Sequence, residues 1–402
     1  MCGNRTLVPI LGLGDQYLTG VFPKENCESS LTRGPLSLVK CHGGPHDCGL
    51  LQLEHSYPVN QLYGSNYGYR SGLNAQMISH LAALGNEAQE ITQLNEGDLV
   101  IDIGSNDGTL LRNFNQNLLL LGIDPSAEKF RSYYREDIRL IVDFFSCEVV
   151  KSEVGTKRAK LITSIAMMYD LEDPVSFTTQ IASMLHPEGV WIFEQSYMPS
   201  MIKQNSFDTI CHEHIEYYGL KQIKWMLHAA GLQVFKVSLN DSNGGSFRVY
   251  ASHQDSRQHV IDNSVSYLES QEQEFVSLMP YTRFERAVED LKLKLQQFLM
   301  DCSTSGKLVH GLGASTKGNV ILQYIGATSD LIQAIGDVNP DKFDCVTPGT
   351  WIPIISENSS LEANADIYFV LPWHFKQHFM TNSRYQGRTL TFPLPELEVV
   401  TL

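Results

Sequence analysis

The stretch LVIDIGSNDGTLL, residues 99–111, decides the fold. It opens on a short apolar run closed by glycine, the pattern of a buried strand. Gly104 permits a tight turn after that strand, and Gly108 allows close approach to the helical segment that starts Thr109-Leu110-Leu111. The N–H groups of such a turn face a ligand. The glycine spacing is GxxxG, not the GxGxxG of dinucleotide enzymes.

Working outward, apolar runs and helical segments alternate. LLLLGID (118–124), IRLIVDFF (138–145), AKLITSI (159–165) and GVWIFEQ (189–195) read as further strands, residues 73–95 and Glu128–Arg135 as helix, and GGSFRVYAS (244–252) as a late antiparallel strand. That alternation predicts a doubly wound parallel sheet, an α/β fold. Asp124 ends the second strand, about twenty residues past the turn, where a carboxylate accepts ribose hydroxyls. Asp143 ends the third, where it can accept from an adenine amino group. The ladder DxGxxxG…D…D implies a class I methyltransferase Rossmann-like domain. It would hold S-adenosylmethionine (SAM) through Gly104, Ser105, Asn106, Asp107, Gly108, Asp124, Pro125, Asp143 and Phe144. A Rossmann-like domain for another adenosine ligand is the alternative.

The 402 residues suggest two or three domains. A net charge of −15 without a Lys/Arg run argues against a nucleic-acid partner. No apolar stretch is long enough to span a bilayer, and the N-terminus does not read as a leader, so a cytoplasmic protein is expected. Cysteines 2, 27, 41 and 48 bunch in the first 48 residues, which in a cytosolic chain suggests a metal before disulfides. After a charged helical connector (275–302), KLVHGLGAST (307–316), LIQAIGD (331–337) and ADIYFVLP (365–372) repeat the strand–glycine turn–helix plan, predicting a second Rossmann-like domain. Its turn lacks the P-loop spacing but suits an anion, with Lys317 adding charge. Arg248 and Lys342 are further candidate cations.

CHEHIEYY (211–218) carries the chemistry candidates. His212 and His214, two residues apart, share a face in a strand and could be metal ligands, buried structural histidines or catalysts. Neutral imidazole near pH 7 suits a general base.

Together, CGLLQL (48–53), IGSNDG (103–108), FDTICHEHIEYY (207–218), NGGSF (243–247) and GLGASTKGN (311–319) resemble the nucleotide-sugar C-methyltransferases, which act on 4-keto deoxysugars. The resemblance spans nearly the whole chain. It implies a zinc-binding domain (1–60), a SAM-dependent domain with connector helices (61–300) and a C-terminal Rossmann-like domain (301–402), with a nucleotide-sugar between the last two. It makes His214 the base that removes a proton beside a keto group, with Glu213 and His212 beside it. It puts Tyr69 near cofactor, and Tyr67, Cys211, Asn243 and Lys317 near substrate. The family's paired cysteines point to Cys2, Cys41 and Cys48 as structural Zn²⁺ ligands, with His42, His46 or Cys27 as the fourth and His46 taken first. A metal-free fold held by packing is the alternative. The chain departs from antibiotic-sugar members at Cys211, often tyrosine there, and at Met168, in a region where they often carry histidine. The expected activity is C-methylation of a nucleotide-linked sugar. Sugar O-methylation and non-catalytic binding are the rivals.

Overall fold

A computed structural model describes residues 1–24, 31–44, 46–58, 62 and 69–402. Its strands are β1 (Leu7–Tyr17), β2 (Arg33–Cys41), β3 (Leu51–Leu53), β4 (Leu99–Ile103), β5 (Leu119–Ile123), β6 (Ile138–Ile141), β7 (Ala159–Ile165), β8 (Leu185–Ser196), β9 (Glu216–Tyr217), β10 (Leu232–Asn240), β11 (Ser246–His253), β12 (Val309–Leu312), β13 (Ala334–Asp337), β14 (Ile354–Ser356), β15 (Ile367–Val370), β16 (Thr389–Phe392) and β17 (Glu398–Thr401). The helices are α1 (Ala75–Thr92), α2 (Cys147–Val154), α3 (Pro174–Met184), α4 (Met198–Lys203), α5 (Leu220–Ala229), α6 (Asn263–Gln271), α7 (Met279–Thr304), α8 (Thr316–Ile325), α9 (Glu357–Glu362) and α10 (Lys376–Thr381).

Three sheets result. The central one runs β10-β11-β8-β7-β4-β5-β6, parallel from β8 to β6, with β11 antiparallel to both neighbours. The C-terminal one runs β14-β13-β12-β15-β16-β17, parallel except for β17. The N-terminal sheet is antiparallel, β1-β2-β3-β9. Its last strand comes from the 211–218 segment, so that segment sits where the sheets meet. Local signals agree with the breaks: Asn74 caps α1, Asp173 with Pro174 opens α3, and Ser315 caps α8. Two expectations shift. Residues Ala127–Tyr133 are a 3₁₀ helix, and β6 stops at Ile141, so Asp143 lies just beyond its strand.

Strand alternation sorts the central core. Trp191 and Phe193 of β8 pack on one face with Tyr169 and Phe177; Val190 and Ile192 pack on the other with Leu84 and Leu111. The N-terminal sheet does not pack alone. Leu36, Leu38 and Leu51 share one core with Val320, Ile321 and Leu322 of α8. Polar bonds tie the same surfaces: Gln323 Oε1 accepts the Tyr17 N–H at 2.8 Å, and Asn319 Nδ2 donates to the Thr19 carbonyl at 2.7 Å.

Asn319 and Thr19 are both fully buried, so Asn319→Ala strands a buried carbonyl. The expected cost is about 1–3 kcal/mol of stability, read as a lower urea midpoint at unchanged slope.

Candidate active site

A cavity of about 650 Å³ lies between the carboxyl ends of the central and C-terminal sheets. Its wall comes from the turns after β4, β5, β6 and β7 and the carboxyl end of β8 on one side and from the turns after β12, β13 and β15 on the other. Ligands in open α/β sheets sit at these strand ends.

On the central side, Gly104 has φ +74°, and a Cβ there would come within 3.3 Å of Met167. The turn's N–H groups do not face the cavity as expected. Those of Gly104 and Ser105 bond to the Ile123 carbonyl, at 2.8 and 3.2 Å, and that of Gly108 to the Ser105 carbonyl at 2.9 Å. The Asn106 N–H donates to Asp124 Oδ2 at 2.9 Å, while Asp124 Oδ1 accepts the Ser126 N–H at 2.7 Å. Oδ1 also accepts from Ser126 Oγ at 2.6 Å, so Oδ2 is the oxygen that keeps a lone pair for a ribose hydroxyl. Ser105, Asn106, Asp124, Pro125, Asp143 and Phe144 line the wall; Tyr69 does too, on the rim. Asp107 and Gly108 do not. Asp107 accepts the Gly72 and Thr109 N–H groups, and Gly108 packs against Tyr134, so both hold the turn rather than a ligand. Burial, with Asp124 nearby, pushes Asp102 up to about 7. A carboxylate-rich half with an apolar floor fits a cationic adenosine cofactor.

The other half carries two lysines, whereas Arg70 on the central side stands 3.8 Å from Asp107. Lys317 Nζ donates to the Asn243 carbonyl at 2.7 Å, and Lys342 Nζ to the Ala314 carbonyl at 2.6 Å. Burial lowers the pKa of both. Between the halves, His214 Nδ1 stands 2.9 Å from the Thr209 carbonyl and its ring 4.2 Å from that of Tyr169. A carbonyl only accepts, so Nδ1 carries the hydrogen and Nε2 keeps its lone pair. Burial, then the Lys317 charge, push His214 down to about 3 against the Thr209 bond. Glu213 also reaches the cavity; its carboxyl, raised by burial, accepts from Thr19 Oγ1 at 3.4 Å. A Cβ on Gly20 would stand 2.6 Å from Glu213 Oε1, so a side chain there would displace the Glu213 carboxyl.

Two further expected site residues fall elsewhere. His212 is fully buried, edge-on to Tyr57 with ring centroids 4.7 Å apart, and does not line the cavity. A tight turn, closed by the His214 N–H on the Cys211 carbonyl at 3.1 Å, sends His212 toward β2 while Glu213 and His214 both face the site. Cys211 is buried in the apolar core rather than at the wall. Met168 is likewise core, whereas Met167 lines the cavity. Tyr67 lies outside the described residues. Sequence reading missed Glu194, Gln195, His374 and Asp337. A signal existed for Asp337 alone: IGD (335–337) repeats the GID (122–124) ending.

Far from the cavity, the thiols of Cys2, Cys41 and Cys48 lie within 4.8 Å of one another. They fit three corners of a tetrahedral structural zinc site. His46 is exposed and outside this group; Cys27 lies outside the described residues.

Three family models match in succession: a "Putative zinc binding domain" over residues 1–63, a "Methyltransferase domain" over 69–237 and a "C-methyltransferase C-terminal domain" over 241–395. These matches support a SAM-dependent C-methyltransferase with an N-terminal zinc-binding domain. The chain is 27% identical to C-methyltransferase NovU of Streptomyces niveus over 409 residues, covering all of this chain and 96% of that protein. Among solved structures, a SAM-dependent methyltransferase from Clostridium acetobutylicum is 13% identical over 44% of this chain and 92% of its own, with a TM-score of 0.33. Mitomycin 7-O-methyltransferase MmcR is 15% identical over 45% of this chain and 55% of its own, with a TM-score of 0.35. Among the described residues of this C-methyltransferase, no helix is long and apolar enough to cross a membrane.

For the cofactor half, Asp124→Ala weakens S-adenosylhomocysteine binding by roughly tenfold to hundredfold in calorimetric titration, and Lys317→Ala leaves it within about twofold. For the thiols, metal analysis of the purified enzyme finds about one zinc per chain, lost in Cys48→Ser.

Proposed function

We propose that the acceptor is a nucleotide-linked keto sugar, methylated at the carbon beside its carbonyl, with His214 as the base. The observation that carries this is the bond from His214 Nδ1 to the Thr209 carbonyl, which fixes the tautomer and leaves Nε2 bare in the shared cavity. Bound SAM supplies a methyl group on a positively charged sulfur. His214 Nε2 takes the proton next to the keto group, and the C–H electron pair stays on the substrate as an enolate, a carbon nucleophile. Glu213, held by Thr19, stands beside it to bind a sugar hydroxyl.

The C-terminal half supports a nucleotide. Asp337 accepts the Ala314 and Asn339 N–H groups, both at 2.7 Å, as Asp124 accepts those of Asn106 and Ser126. The Gly313 N–H bonds the Gly336 carbonyl at 2.8 Å, matching Gly104 and Ile123. A second nucleoside carboxylate thus faces the first. Lys317 and Lys342 lie beside it to meet phosphate charge. Neutralising Lys317 in this way removes one cause of the low His214 pKa and strengthens the base once the acceptor is bound.

Incubation with methyl-labelled SAM and a panel of nucleotide-linked 4-keto sugars places label on carbon, read by product NMR. Label on an unrelated acceptor alone contradicts the reading. His214→Ala abolishes turnover and leaves S-adenosylhomocysteine affinity unchanged. Because a lowered pKa keeps imidazole neutral to lower pH, the acid limb of kcat/KM falls below the ordinary histidine value of about 6.5. A limb at or above that value argues against His214 as base.

A further inference from the structure

Gln195 is 2% exposed, and neither its Nε2 nor its Oε1 finds a hydrogen-bond partner among the described residues. Yet it lines the cavity. Buried amides in folded proteins are almost always bonded, and leaving one bare costs stability, so a side chain with both ends unpaired at a cavity wall is built for something that arrives.

Its direction follows from β8. Glu194 is taken up by the protein: it meets His80 Nε2 at 2.5 Å, Arg248 at 2.8 Å and Asn240 at 2.9 Å. Gln195, the next residue, points to the opposite face of the sheet. That face carries Phe193 and Tyr169, and Tyr169 is the ring against which His214 lies. Gln195 therefore opens into the cavity on the side of the base, at the carboxyl end of a central strand.

We propose that Gln195 reads the acceptor's ketone: its Nε2–H donates to the keto oxygen, and its Oε1 accepts from a neighbouring hydroxyl. This rests on the keto-sugar reading above. An amide offers a donor and an acceptor side by side, and an α-hydroxyketone offers the complementary pair. The keto oxygen gains negative charge as His214 removes the adjacent proton, so the N–H bond tightens as the enolate forms. Gln195 is thus a substrate-positioning residue with a share in kcat.

The test compares wild type with Gln195→Leu and Gln195→Met, on the nucleotide-linked 4-keto-6-deoxy sugar that wild type methylates in the labelled panel. S-adenosylhomocysteine and the 4-deoxy analogue of that sugar are titrated in parallel. Expected are a fall in kcat/KM of about tenfold to hundredfold in both variants, a cofactor-product affinity within about twofold, and a 4-deoxy analogue affinity that falls by much less than kcat/KM, since that analogue keeps the hydroxyl but not the ketone. Neither variant should melt below wild type, since each removes an unpaired polar group. Unchanged kcat/KM overturns the proposal and leaves Gln195 a wetted wall residue. A parallel loss of S-adenosylhomocysteine affinity also overturns it and assigns the amide to the cofactor. Equal weakening of the 4-deoxy analogue does the same by making the effect one of packing. A wild type inactive on the whole panel removes the keto-sugar reading first, before any variant is made.

Discussion

The segment from Phe207 to Tyr218 is bonded to all three sheets at once, and the geometry of the site depends on that. Its Asp208 carboxylate accepts the Trp373 indole N–H at 2.8 Å, which fixes it to the C-terminal sheet. Its Ile215 N–H donates to the Tyr169 carbonyl at 2.8 Å, which fixes it to the central one. Its β9 residues pair with β3 of the N-terminal sheet. Twelve residues so constrained leave little freedom for the imidazole among them, and the Thr209 carbonyl removes the rest. Methyl transfer demands alignment more than chemical activation, so a rigid junction is the feature that matters.

That junction also explains why a small N-terminal sheet belongs in an enzyme of this kind. Strand β1 delivers Thr19 and Gly20 to Glu213, while Asn319 and Gln323 hold the strand's end. The cysteine cluster sits at the other end of the same strands, on Cys2, Cys41 and Cys48. A metal there acts on the site only through backbone: it fixes β2 and β3, and β3 carries β9. Buried Lys40, lowered by desolvation to about 8, lies among these groups and donates to the Gly49 carbonyl at 2.8 Å.

Much of this was legible in the sequence, because the strands of the parallel sheets are short apolar runs ended by glycine or aspartate. Strand β7 matches its expected bounds, and β4, β5 and β8 are all found where the runs place them. The site was legible only where a side chain's role follows from its type. Asp124 and His214 reach the cavity, but Asp107, His212 and Cys211 do not. Their residue types suit the chemistry; what decides is which way each points, and that is set by contacts distant in the chain. The turn's N–H groups failed as ligand donors for a similar reason: the neighbouring strand supplies carbonyls that consume them. Gln195 gave no signal at all, since a glutamine at a strand end is unremarkable until both its partners prove missing.

If the acceptor is a nucleotide-linked sugar as proposed, the two facing Rossmann-like turns bear on how one cavity would take a sulfonium nucleoside and a nucleotide without confusing them. Both use a glycine at positive φ and an aspartate that accepts two loop N–H groups. Shape alone would let either nucleoside enter either crevice. Charge separates them. The central crevice sets Asp124 and Asp143 at its wall, which would disfavour a diphosphate and suit a sulfonium; the C-terminal crevice offers Lys317 and Lys342. Low dielectric between the sheets strengthens both preferences. On that reading discrimination arises from what surrounds each aspartate, not from the aspartates themselves, and His214 lies between the two crevices.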